Sequence, residues 1–141
     1  MSTVIRVTLA ATLAITVAAC GGSNDTPTAP SVNVPFTTTD LRVGTGTEAT
    51  NGRRVSVNYT LWLYSSTGTD NKGTLIESNP YAYTLGGGGV IQGWERGIPG
   101  MRVGGLRRLI IPPDLAYGSQ ASSRIPANST LVFEIELLAV Q

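Results

Sequence analysis

Val55–Leu63 reads VSVNYTLWL, with Val55, Val57, Tyr59, Leu61 and Leu63 apolar or aromatic and Ser56, Asn58 and Thr60 set between them. A period of two puts one face of an extended chain against a core and the other toward solvent, so this stretch is a half-buried strand. Leu131–Leu137 (LVFEIEL) repeats the pattern, with Leu131, Phe133, Ile135 and Leu137 on one face and Glu134 and Glu136 on the other. Leu106–Ile111 (LRRLII) and Tyr81–Leu85 (YAYTL) are shorter strand candidates bounded by Gly or Pro. Counted together, such stretches predict about four to six strands in all. Between Leu63 and Leu75, YSSTGTDNKGT is polar and has no apolar periodicity, which predicts a protruding, weakly constrained loop. One helix is predicted over Val90–Ile98 (VIQGWERGI), where Val90, Trp94 and Ile98 fall four apart and Pro99-Gly100 ends the run. A helix this short is unstable alone and must be held by packing Trp94 and its neighbours onto the sheet. The expected fold is therefore α+β, an antiparallel sheet wrapped around one short helix.

Composition narrows the function. The chain has 141 residues, enough for one ordinary domain, with ten Lys+Arg against nine Asp+Glu and charged residues at 13%. That balance argues against nucleic-acid binding driven by phosphate contacts. A hydrophobic content of 41% with 17 Gly and 8 Pro suits a compact, turn-rich domain. The sequence has no His and one Cys. A Ser-His-Asp triad, a Cys-His dyad, a His- or Cys-ligated zinc and an internal disulfide are thereby excluded.

Val7–Ala19 (VTLAATLAITVAA) follows the single positive side chain of Arg6, is uncharged and closes on small residues. This is the pattern of a secretory signal, and the run is shorter than the roughly 20 apolar residues that a membrane-spanning helix needs. Val17-Ala18-Ala19-Cys20 resembles the bacterial lipoprotein lipobox, which implies cleavage before Cys20 and lipid on its sulfur. The alternative is an ordinary signal cut at an A-x-A-like site that leaves a free thiol. Residues 1–19 are thus expected to be a signal peptide, 20–35 a lipidated cysteine with a Gly/Ser/Thr/Pro-rich tether, and 36–141 the working domain. The residue after Cys20 is Gly rather than Asp, which by the same resemblance implies a periplasmic-side location on the outer membrane.

Several motifs carry no chemistry. Gly86–Gly89 lacks the Gly-Lys-Ser/Thr of a P-loop and reads as a flexible connection. Arg107-Arg108 reads as a solvated strand edge, a poor polyanion site in a chain of balanced charge. More informative is an aromatic and aliphatic set (Tyr59, Tyr81, Tyr83, Trp94, Tyr117 and Phe133, with Val90, Ile91 and Ile125) larger than a small core requires. Its plain reading is core; some of it could line a pocket.

The segments VIQGWERG (Val90–Gly97), PPDLAYG (Pro112–Gly118) and IPANSTLVFEIELL (Ile125–Leu138) closely resemble the FKBP-type peptidyl-prolyl cis-trans isomerases, over about Leu41 to Gln141. The resemblance implies an FKBP-like sheet wrapped around its helix and an apolar pocket floored by Trp94. Tyr59, Tyr81, Val90, Ile91 and Phe133 would form its walls, and Tyr117 and Ile125 its loop contacts. It further implies that the Ile91 N–H and the Tyr117 hydroxyl donate to substrate carbonyls, and that Glu77 accepts from Tyr59. The sequence departs from the family where Ile76-Glu77 stand in place of the usual Phe-Asp, so an aromatic wall is expected to become aliphatic and activity to be lowered. The loop Ser119–Arg124 is also shorter than in the small human-type members. The implied activity is isomerisation of X-Pro bonds in exported polypeptides, without cofactor or metal, by a monomer that also accepts macrocyclic FKBP-type ligands. The alternative on the same fold is a low-activity module that grips proline-containing segments as a chaperone or assembly factor.

Overall fold

The computed structural model describes residues 33–141. The expected signal peptide, Cys20 and most of the tether lie outside the described residues.

Five strands form one antiparallel sheet: β1 (Thr37–Arg42), β2 (Arg54–Tyr64), β3 (Lys72–Thr84), β4 (Leu106–Ile111) and β5 (Leu131–Val140), in the spatial order β1-β4-β5-β2-β3. The helix α1 (Gln92–Gly97) packs on the inner face. The α+β architecture expected from the sequence is therefore present. The two alternating stretches lie side by side at the sheet's centre, with Leu61 opposite Phe133 and Tyr59 opposite Ile135. Their inward residues Val55, Val57, Leu61, Leu131, Phe133, Ile135 and Leu137 are all buried. Burying such side chains stabilises by roughly 1.5–3 kcal/mol each, which fixes the register, since a slip of one residue would turn this whole set to solvent.

α1 is shorter than the periodicity predicts. Ile91 is its extended N-cap residue, and Val90 precedes it in non-helical backbone. Within the helix, a Cβ on Gly93 would come within 2.5 Å of the Ile111 side chain, and one on Gly97 within 2.6 Å of Leu109. These two glycines let the helix lie directly on β4, and Trp94 and Ile98 bury the rest of that face. At its other end Arg107 donates to the carbonyls of Gly97 (2.8 Å) and Pro99 (3.2 Å) while its guanidinium grips both oxygens of Asp40. The helix end thus receives a cation at its exposed carbonyls.

Two segments differ from what the sequence predicts. β4 lies between β1 and β5, so Arg107-Arg108 is not a sheet edge, and both side chains are only 15% exposed. On the outer face Arg108 pairs with Glu134 (2.9 Å) and Asp70 (3.0 Å). Nor is Tyr64–Thr74 a free loop: β3 begins at Lys72, and the connection reduces to Ser65–Asn71. Lys72 bonds Glu134 at 2.6 Å and lies 4.6 Å from the centre of the Trp62 ring, so the hairpin tip is tied back onto the sheet by charge. Polar composition suggested exposure, but the partners of these charges come from β4 and β5, far away in sequence.

Candidate functional site

A cavity of about 330 Å³ opens between α1, the inner face of β2 and β3, and the turn that carries Tyr117. Eight of the ten predicted pocket residues line it: Tyr59, Glu77, Tyr81, Val90, Ile91, Trp94, Tyr117 and Phe133. Leu61 and Gly89 also line it and were not foreseen. Leu61 follows from the β2 alternation, being the next inward residue after Tyr59; Gly89 has no side chain through which sequence could mark it.

Trp94 makes the floor. It is 4% exposed and its ring centre lies 5.2 Å from Tyr59, 5.4 Å from Phe133 and 6.2 Å from Tyr81, in each case edge to face. Such contacts add about 0.5–1.5 kcal/mol each beyond burial and fix the indole plane. Val90 and Ile91 reach the cavity because the helix has not yet begun there, Val90 lying in a bend and Ile91 in extended backbone; apolar residues at helical spacing serve as wall instead. The Ile91 N–H, at the N-cap, has no acceptor among the described residues.

The polar side is built across the β2–β3 ladder. Tyr59 donates to Glu77 Oε1 at 2.7 Å, and its phenol is pushed up to about 12, by burial first and by the Glu77 carboxylate next. Tyr117, half exposed at the rim, is also raised, by burial and then by Glu77. Both hydroxyls therefore keep their protons throughout the neutral range and can act as donors.

Ile76 and Ile125 do not line this cavity. Register passes from Leu75 opposite Trp62 to Glu77 opposite Leu61, so Ile76 is the extra residue of a β-bulge. The bulge turns two successive side chains inward: Ile76 joins the core and Glu77 faces the cavity. The expected aliphatic wall at Ile76 is thus absent. Ile125 instead borders a neighbouring hollow of about 250 Å³ that shares Tyr117 with the main cavity. Its loop is closed on itself, with the Ser122 hydroxyl accepting from the Ile125 N–H at 3.1 Å.

An aromatic cavity at the lower end of the usual size for ligand sites, lined mostly by rings and aliphatic chains around a single carboxylate, is suited to holding a small apolar group. A family profile described as FKBP-type peptidyl-prolyl cis-trans isomerase matches residues 45–138. An FK506-binding protein of Neisseria meningitidis (serogroup A) is 45% identical over 102 residues, 72% of this chain and 92% of that protein. The 39 kDa FK506-binding nuclear protein of Drosophila melanogaster is 49% identical over 102 residues, and there the chain spans only 28% of the relative's length. Among solved structures, AtFKBP13 has a TM-score of 0.63 at 33% identity, covering 75% of this chain and 93% of that one. FkpA from Escherichia coli has a TM-score of 0.62 at 35% identity, covering 75% and 48%. The chain belongs to the FKBP-type peptidyl-prolyl cis-trans isomerase family.

Proposed function

We propose that this chain isomerises X-Pro bonds of exported polypeptides, seating the proline ring on Trp94. The observation that carries the reading is the open cavity itself: an indole floor with aromatic walls, with the Tyr117 hydroxyl and the Ile91 N–H among its edges. Rotation about a peptide bond faces a barrier of about 18–20 kcal/mol because resonance gives C–N partial double-bond character. A catalyst need only bind the twisted amide better than the planar one, each 1.4 kcal/mol or so of difference being about tenfold in rate. A planar amide has a polarised carbonyl that water solvates, and a greasy cleft withdraws that solvation, at less cost to the twisted form. Tyr59, Trp94, Tyr81, Val90 and Phe133 hold the ring by burial. The Ile91 N–H and Tyr117 hydroxyl orient the flanking carbonyls, and Glu77 sets the polarity next to the rotating one. A macrocyclic FKBP-type ligand would occupy the same space.

The domain would act as a monomer tethered through lipid on Cys20 at the periplasmic side of the outer membrane; the support for this is the Val17–Cys20 lipobox pattern and the tether composition. A protease-coupled assay on a short X-Pro peptide tests the activity. Exchange faster than in buffer is expected; exchange no faster, with the macrocycle still bound, would leave a proline-gripping module. Mass spectrometry of the protein from its host tests the anchor, and an unmodified Cys20 would remove it.

A further inference from the structure

The rim of the cavity is continuous with a run of glycines. Gly86–Gly89 are four successive glycines, with Gly86 and Gly88 at φ of 80° and 72°. Asn51 lies against Gly86 and the Gly87 N–H donates to the Thr84 carbonyl at 3.2 Å, but nothing stands within 4 Å of where a Cβ on Gly88 or Gly89 would be, so side-chain packing does not hold the half of the stretch next to the cavity. Glycine gives up more conformational freedom on ordering than any other residue. Yet the stretch leads directly into Gly89, Val90 and Ile91 on the cavity wall.

One side chain reaches further along the loop. Glu95 Oε2 accepts from the Gly86 N–H at 2.6 Å and Oε1 from the Gly88 N–H at 3.0 Å, so both oxygens of one carboxylate clamp two amides of the loop. Hydrogen bonds to an ionised acceptor are roughly twice as strong as neutral ones. Glu95 follows Trp94 in α1, so the clamp ties the rim to the residue next to the floor. A solvated acidic residue in a first helical turn would need no such pair of partners.

We propose that Glu95 is a positioning residue, a latch that holds the glycine loop, and through it Val90 and the Ile91 N–H, at a fixed distance from the indole floor. This rests on the isomerase reading of the cavity. Glu95 touches no substrate; it acts by reducing the number of shapes the wall can take before a proline ring arrives.

The test compares Glu95→Ala and Glu95→Gln with the parent chain by amide exchange at Gly86 and Gly88, by kcat/KM on an X-Pro peptide, and by urea midpoint. In Glu95→Ala both amides should exchange at least about tenfold faster, and kcat/KM should fall about tenfold with little change in midpoint. Glu95→Gln keeps one carbonyl acceptor and should fall in between; it also stands in if the alanine variant does not fold. Unchanged amide exchange, or kcat/KM within about twofold of the parent, would overturn the latch. A lowered midpoint with full activity of the folded fraction would do the same, reducing Glu95 to a stability role. If the parent chain itself fails to speed exchange, the isomerase reading falls on that result, and the latch is judged by the Gly86 and Gly88 amides alone.

Discussion

Tyr59 and Glu77 meet at 2.7 Å across the β2–β3 ladder because the bulge at Ile76 turns Glu77 to the same face as Tyr59. The carboxylate is thereby inside a cavity otherwise walled by rings and aliphatic chains, and its nearest donor is a phenol whose own ionisation it opposes. The pair fixes the polarity of the cavity and the ring plane of one wall in the same contact.

Replacing Glu77 by Gln should lower the Tyr59 titration midpoint from about 12 without returning it to the ordinary 10.0, since burial is the larger cause. Ultraviolet titration of the phenols, with Tyr59→Phe as the reference, reads this. The sign for stability follows. A phenol raised on folding contributes fully below its unfolded value near 10 and loses that contribution as pH climbs through about 12. The parent should therefore lose its advantage over Tyr59→Phe only on the alkaline side. The same variant removes one hydrogen bond and should cost about 0.5–1.5 kcal/mol at neutral pH.

Gly93→Ala and Gly97→Ala should each destabilise by about 1–3 kcal/mol, because the new methyl group would press on Ile111 or Leu109 at 2.5–2.6 Å. Lifting α1 off β4 also moves Trp94, so its fluorescence should shift in a Trp62→Phe background. A variant with an unchanged urea midpoint and unchanged emission would show that the helix does not need to lie so close.

How legible this was depended on whether a residue's partners lie in its own strand or helix pattern. β2 and β5 could be read from alternation because each has one buried face. β1 could not: TTTDLR is exposed at every position and is held by backbone pairing with β4 and the Asp40–Arg107 contact. The start of β3 was hidden because Lys72, and Asp70 in the turn before it, find their opposite charges on β5 and β4. Most of the cavity was legible through resemblance of whole segments. Ile76 was misplaced because a bulge leaves no trace in residue type, and the Glu95 clamp was invisible because its partners are backbone amides.

Tyr83→Phe should stabilise the domain by about 1 kcal/mol. The Tyr83 hydroxyl is buried with no hydrogen-bond partner among the described residues, while its ring packs 5.9 Å from Trp94. Burial first, then the charge of Glu95 and the neighbouring Tyr81 phenol, push its ionisation up from the ordinary phenol range, so it stays neutral. An unsatisfied buried polar group costs about 1–3 kcal/mol, and phenylalanine keeps the ring without that cost. Urea unfolding should show a higher midpoint at unchanged slope. A clear loss of stability would mean that the hydroxyl is satisfied by a bound water.

Acid should weaken the domain through the outer-face network. Burial alone would raise the Glu134 carboxyl, but hydrogen bonds from Lys72 and Arg108, and then their charges, outweigh it and hold it below its ordinary 4.5. A carboxylate depressed on folding contributes fully above its unfolded value and loses that contribution as pH falls through the lower folded one. Glu134→Gln should cost about 1–3 kcal/mol at pH 7, since it leaves two partly buried cations with one fewer acceptor charge. That gap should narrow as pH drops below about 4.5, where the carboxyl protonates first in the unfolded chain and then, at lower pH, in the folded one. Midpoints measured for both proteins across the acid range decide it: a gap that stays constant would assign the loss to altered packing around Trp62 rather than to the charge.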